Sequence, residues 1–162
     1  MSGPPLEVGL RLLDPRLPAW GFPRWGSPAA AGLDLHACLD GPLTLEPQSP
    51  PALIPAGIVV AIRDPDWCGL VLPRSGFGHR EGLVLGNGTG VIDADYEGPL
   101  LVSAWNRNPA PSPGIRIEPG DRIAQLVFTR VTRPRLVVEA EAGAEQPASA
   151  RGSGGFGSSG RR

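Results

Sequence analysis

The stretch GLDLHACL, Gly32 to Leu39, sets Leu33, Leu35, Ala37 and Leu39 on one side of an extended chain. Asp34, His36 and Cys38 alternate with them on the other side. A period of two marks a half-buried β-strand. Working outward, similar short apolar runs occur at Val8–Leu13, Gly57–Ile62, Gly69–Leu72, Leu100–Trp105, Arg122–Phe128 and Leu136–Glu139. The chain's 23 glycines and 20 prolines fall mostly between these runs, where turns are needed. No window carries a sustained helical repeat with caps, and the candidate short helix is Gly76–Arg80, after Arg74. The expectation is an all-β domain, a jelly-roll-like barrel or sandwich, because so many strands need their edges covered.

The 162 residues are 41% hydrophobic, enough for one domain with a core. Formal net charge is -1, which offers no general attraction to nucleic acid or to a membrane surface. No stretch approaches the length of a membrane span, so a cytoplasmic protein is expected. All 15 basic residues are arginine. The lack of lysine excludes Schiff-base chemistry and the phosphate-loop lysine. Arginine remains, and its planar fork suits phosphate oxygens. Cys38 and Cys68 cannot make a disulfide framework and read as buried or semi-buried thiols. His36 and His79 read as structural or surface residues, and the four tryptophans as packing residues.

Composition changes after Glu139. EAGAEQPASA is small and polar, and RGSGGFGSSGRR is dominated by glycine and serine. The organisation expected is a β domain over 1–139, a linker over 140–150 and a flexible segment over 151–162. Within the last, Arg151 and Phe156 are specific side chains in a flexible backbone, as a ligand-closing lid would need.

Three stretches could carry chemistry. In PRSGFGHREG, Pro73–Gly82, Arg74 offers a charged fork, Ser75 a hydroxyl, and Ser75 and Gly76 accessible amides, together a phosphate cradle. In GNGTGVIDADYEG, Gly86–Gly98, a glycine-rich turn precedes Asp93, Asp95 and Tyr96. One of these carboxylates could take a proton from water, while the other caps a turn or pairs with arginine. In GDRIAQLVF, Gly120–Phe128, Gln125 stands polar in an apolar run and is either bonded structurally or aimed at a site.

With AAGLDLHA (Ala30–Ala37) before them and RGSGGFGSSG after them, these stretches resemble the five ordered motifs of the trimeric dUTPase family. The resemblance spans Ala30 to Gly160. It implies a homotrimer with active sites between subunits, and hydrolysis of dUTP to dUMP and pyrophosphate with Mg2+. Such an activity limits uracil incorporation into DNA and supplies dUMP for dTMP synthesis. By the same resemblance, Asp93 activates the attacking water and Tyr96 packs on the deoxyribose. Asn87, Gly90 and neighbouring hairpin backbone read the uracil. Arg74, Ser75, Gly76 and Gln125 hold phosphate, and Asp34 contacts the magnesium hydration shell. Arg151 neutralises phosphate and Phe156 covers the base on a neighbouring subunit's site.

Two positions depart from the family pattern. Pro99 follows the third-motif glycine and is expected at an edge or irregular strand position, and Thr89 replaces a small apolar residue. A related deaminase acting on dCTP would need a glutamate where Ser103 stands, and serine cannot shuttle its protons. A binding protein without turnover would have lost a catalytic residue or the tail, yet Asp93, Arg151 and Phe156 are present.

Overall fold

The computed structural model describes residues 6–138. Ten strands and one helix follow in order: β1 Gly9–Leu12, β2 Gly32–His36, β3 Leu43–Leu45, β4 Ala52–Ala61, β5 Trp67–Pro73, α1 Ser75–Arg80, β6 Leu83–Leu85, β7 Gly90–Ile92, β8 Pro99–Asn106, β9 Ile115–Ile117 and β10 Arg122–Arg130. They form antiparallel sheets ordered β1-β4-β8-β6 and β2-β10-β5-β7, with a smaller β3-β9 pair. Alternation makes the long strands two-faced. On β8, Leu100, Val102, Ala104 and Asn106 are buried, whereas Pro99 and Leu101 face outward. The inward residues of both large sheets, among them Leu35, Ile54, Ile58, Val102, Ile123 and Leu126, make one core. The all-β fold with a single short helix is as expected, and the sheets are open layers.

Boundaries differ from the periodic reading for physical reasons. β2 stops at His36 because the backbone then changes partners. Ala37 N–H donates to Asp121 O at 2.8 Å and Cys38 N–H to Pro55 O at 2.9 Å, which carries the chain toward the other sheet. β4 begins at Ala52, before the expected Gly57, and bends at a register break between Pro55 and Val59. Gly57 sits there at φ +69°, and a Cβ would strike Cys38 and the Asp14 side chain. Pro99 opens β8 across from Val59, beyond that same break, so its missing N–H falls where the ladder is already irregular.

Two expectations are corrected. The segment before β7 is not a hairpin: β6 pairs with β8 and β7 with β5, so residues 86–89 cross between sheets. The strand expected at Leu136–Glu139 is absent over 136–138, where no described residue pairs with the backbone and Leu136, Val137 and Val138 are exposed. β-Branched side chains favour a strand only when a neighbouring edge accepts it. The β unit ends at Thr132, and Arg133 opens a second unit. The expected linker over 140–150 and lid over 151–162, with Arg151 and Phe156, lie outside the described residues.

Candidate active site

A polar cleft of about 690 Å³ opens over the ends of β2, β5 and β10 and along α1. Strand register builds it. Asp34 of β2 lies opposite Gln125 of β10, and Gln125 lies opposite Leu72 of β5, two residues before Arg74. Asp34 falls on the outward side of β2 between the buried Leu33 and Leu35. Its carboxylate is shared by two guanidinium groups: Arg74 Nε lies 2.9 Å from Oδ1 and Arg122 Nη1 3.0 Å from Oδ2. Arg74 Nη1 also donates to the Arg122 carbonyl at 3.2 Å. Gln125 Nε2 donates to Pro73 O at 3.1 Å, which leaves its amide oxygen toward Gly32. A side chain at position 32 would push that amide out of its place.

α1 starts in the cleft. Its first intrahelical bond is Gly78 N–H to Arg74 O, so the amides of Ser75 and Gly76 have no helical acceptor. The far end of α1 is pinned by the chain leaving β8. Arg107 Nη2 donates to Gly78 O at 3.1 Å and Asn108 Nδ2 to Glu81 O at 2.7 Å. Behind them Asn106 is fully buried; its Nδ2 donates to Leu45 O at 2.9 Å and its Oδ1 accepts from Asn108 N–H at 3.0 Å.

A second, smaller hollow of about 190 Å³ lies beyond β7, lined by Ile92, Asp93, Tyr96 and Leu101 among others. The strand has ended before Asp93. Tyr96 N–H donates to Asp93 O at 3.1 Å, so Asp93 to Tyr96 form a turn and not a strand. Asp93 is exposed. Tyr96 Oη donates to Pro99 O at 2.9 Å, and its ring covers Gly98, where any side chain would clash.

The chain therefore brings together Asp34, Arg74, Ser75, Gly76 and Gln125, and separately Asp93 and Tyr96. Gly90 pairs with Val71 on the ladder between the two hollows, and Asn87 precedes it in the crossover. Asp93, one residue past the Gly69–Ile92 pair, falls level with Cys68, six residues from Arg74. At the strand rise that is roughly 20 Å. One chain does not join the two halves.

Arg122 and Arg80 also line the first cleft and were not anticipated. Arg122 carried a usable signal, since it is the charged residue entering the run that holds Gln125. Arg80 carried none, because its reach depends on the helix folding it back. Among the described residues no group of three His, Cys, Asp or Glu could hold a metal. His36 is buried beside Trp20 and Phe22 with Nδ1 unpartnered, and burial lowers its basicity. Cys38 is half-buried and Cys68 buried. Burial, with the Asp14 carboxylate beside it, pushes the Cys38 thiol up to about 12, which keeps it protonated near neutral pH.

A family model described as dUTPase matches residues 19–160. The deoxyuridine 5'-triphosphate nucleotidohydrolase of Xanthomonas oryzae pv. oryzae is 51% identical over the whole of both chains. The dUTPase of Staphylococcus bacteriophage 80alpha, solved with dUpNHpp, superposes with a TM-score of 0.77 at 30% identity, covering 95% of this chain and 98% of that one. A dUTPase of phage phi11 of S. aureus, whose structure reveals the coordination of a structural Mg(II) ion, gives 0.68 at 26% identity over 84% and 97%.

Proposed function

The chain belongs to the dUTPase family, and we propose that it hydrolyses dUTP to dUMP and pyrophosphate, as a dUTP diphosphatase. The observation that carries this reading is the cleft shared by Arg74, Gln125, Asp34 and the unpaired amides of Ser75 and Gly76. Arginine forks and free N–H groups neutralise and align phosphate oxygens, which is most of what phosphoryl chemistry asks of a protein. Asp93 is the general base: its exposed carboxylate takes the proton of a water that attacks the α-phosphorus, and pyrophosphate leaves. Tyr96, its hydroxyl tied to Pro99 O, presents a fixed ring to the deoxyribose and leaves no room for a 2′-hydroxyl. Asn87 and the backbone around Gly90 read the uracil edge. Arg151 and Phe156 would close over the phosphates and the base.

Magnesium is the cofactor in this reading, and the donor set fits a hydrated ion held by substrate phosphates, with the mostly buried Asp34 carboxylate nearby. Each Asp34 oxygen keeps a lone pair beyond its arginine donor and can accept from a water of hydration. Bound there, the ion would neutralise phosphate charge.

The acting form is a homotrimer with sites between subunits. Support comes from the roughly 20 Å between Asp93 and Arg74 along one chain, which a second copy's residues must span. The outer face of β4 and β8 also exposes Leu53 (66%) and Leu101 (45%), apolar surface suited to a second copy. No described helix is long and apolar enough to cross a membrane, and a cytoplasmic role in limiting uracil incorporation and supplying dUMP for dTMP synthesis follows from the activity. The test is pyrophosphate release from dUTP beside dCTP, dTTP and UTP, with and without magnesium. Selective, magnesium-stimulated release from dUTP is expected; tight dUTP binding without release would leave a pocket and no enzyme.

A further inference from the structure

The polar cleft holds three arginines, and they are not equivalent. Arg74 and Arg122 both spend charge on the same carboxylate, Asp34, at 2.9 and 3.0 Å. Arg80 is exposed and has no hydrogen bond or ion pair among the described residues, although Glu81 lines the same cleft. Its position is specific. Arg80 is the last residue of α1, and its side chain runs back one turn toward the helix start, the direction helical side chains take. Its Nη2 and Nη1 come within 3.1 and 3.3 Å of where a Cβ on Gly76 would be. Glycine at 76 thus leaves room for the guanidinium beside the free amides of Ser75 and Gly76. Any larger residue would displace it outward.

We propose that Arg80 is a further substrate-binding residue, contacting the distal phosphates of the bound nucleotide. This rests on the dUTP-hydrolase reading for the identity of the nucleotide, and on the cleft alone for the polyphosphate. A triphosphate with one magnesium ion retains about two negative charges. Arg74 and Arg122 share Asp34 and keep one net positive charge between them, so Arg80 is the cleft's arginine that no carboxylate holds in place among the described residues. Its contact falls on the phosphates that leave as pyrophosphate. dUMP, which lacks them, is indifferent to it.

The test is calorimetric titration of the full chain with inorganic tripolyphosphate and, separately, with dUMP, in magnesium buffer, for wild type, Arg80→Gln and Arg80→Lys. Loss of one charge-assisted bond should weaken tripolyphosphate about tenfold in Arg80→Gln, with partial recovery in Arg80→Lys and dUMP binding within twofold of wild type. Unchanged tripolyphosphate affinity in Arg80→Gln would overturn the assignment, as would an equal loss of dUMP affinity or no binding of tripolyphosphate by wild type. Wild-type turnover of dUTP, measured beside it, tests the hydrolase reading separately, since tripolyphosphate binding needs no hydrolysis.

Discussion

Asp34 Oδ1 lies 2.9 Å from Arg74 Nε, and this pair joins β2, an edge strand of the β2-β10-β5-β7 sheet, to the residue that caps the start of α1. The same carboxylate takes Arg122 on its other oxygen, so one acid aims two guanidinium forks that line the cleft. Removing its charge while keeping its shape should let both arginines swing toward solvent. Asp34→Asn is expected to raise KM for dUTP about tenfold, and to shift the magnesium concentration needed for half-maximal rate upward. Steady-state kinetics over a magnesium series checks this, and an unchanged KM would mean the arginines hold their places without Asp34.

Asp93 is exposed and bonded only through its backbone, so its carboxylate has no architectural duty among the described residues. Asp93→Asn should fold normally and bind a non-hydrolysable dUTP analogue with near wild-type affinity. Turnover should fall by roughly a thousandfold, the scale of a lost general base. Near-normal turnover would remove Asp93 from the mechanism.

The parts of this fold that could be read in advance are those where one face is wet and the other dry. β8 alternates along its length and β2 from Gly32 to Leu35, so period-two patterning identifies them, whereas β10 is a nearly continuous apolar run. β3, β6, β7 and β9 have three residues each, too few for a period, and they exist because a longer strand or each other offers an edge. Leu136 to Val138 show the converse: an apolar, β-branched run without a paired edge among the described residues is not a strand. The polar cleft was legible because Asp34 and Gln125 are polar residues set among apolar ones and Arg74 leads directly into Ser75 and Gly76. Its separation from Asp93 was not, since that depends on which strands pair and in what register.

Asn106 stands at the base of the site, fully buried, donating to Leu45 O and accepting from Asn108 N–H. Asn108 in turn holds the end of α1 through Glu81 O. Asn106→Ala leaves the buried Leu45 carbonyl and the part-buried Asn108 N–H unsatisfied at once and should cost about 2–3 kcal/mol. Urea unfolding of the variant measures this, and a loss below 1 kcal/mol would show that water replaces the side chain.

Asp14 provides a pH-dependent element away from the site. Its carboxylate accepts from Arg16 Nη2 at 2.6 Å, Arg16 Nε at 2.9 Å and the Arg16 backbone N–H at 2.9 Å. Those bonds outweigh burial and hold the group down to about 2. Because the folded value lies below the unfolded one, near 3.9, the unfolded chain binds the proton first as pH falls. The stabilisation is complete above pH 4 and is lost between about 4 and 2. Asp14→Asn, which carries no charge at any pH, should be less stable than wild type at pH 7, and the gap should narrow from pH 4 downward. Urea midpoints for both proteins at pH 7, 4, 3 and 2 supply the comparison. A gap that stays constant across that range would mean that Arg16 stabilises the loop through its contacts with the Leu39 carbonyl and the Trp20 ring, independently of the Asp14 charge.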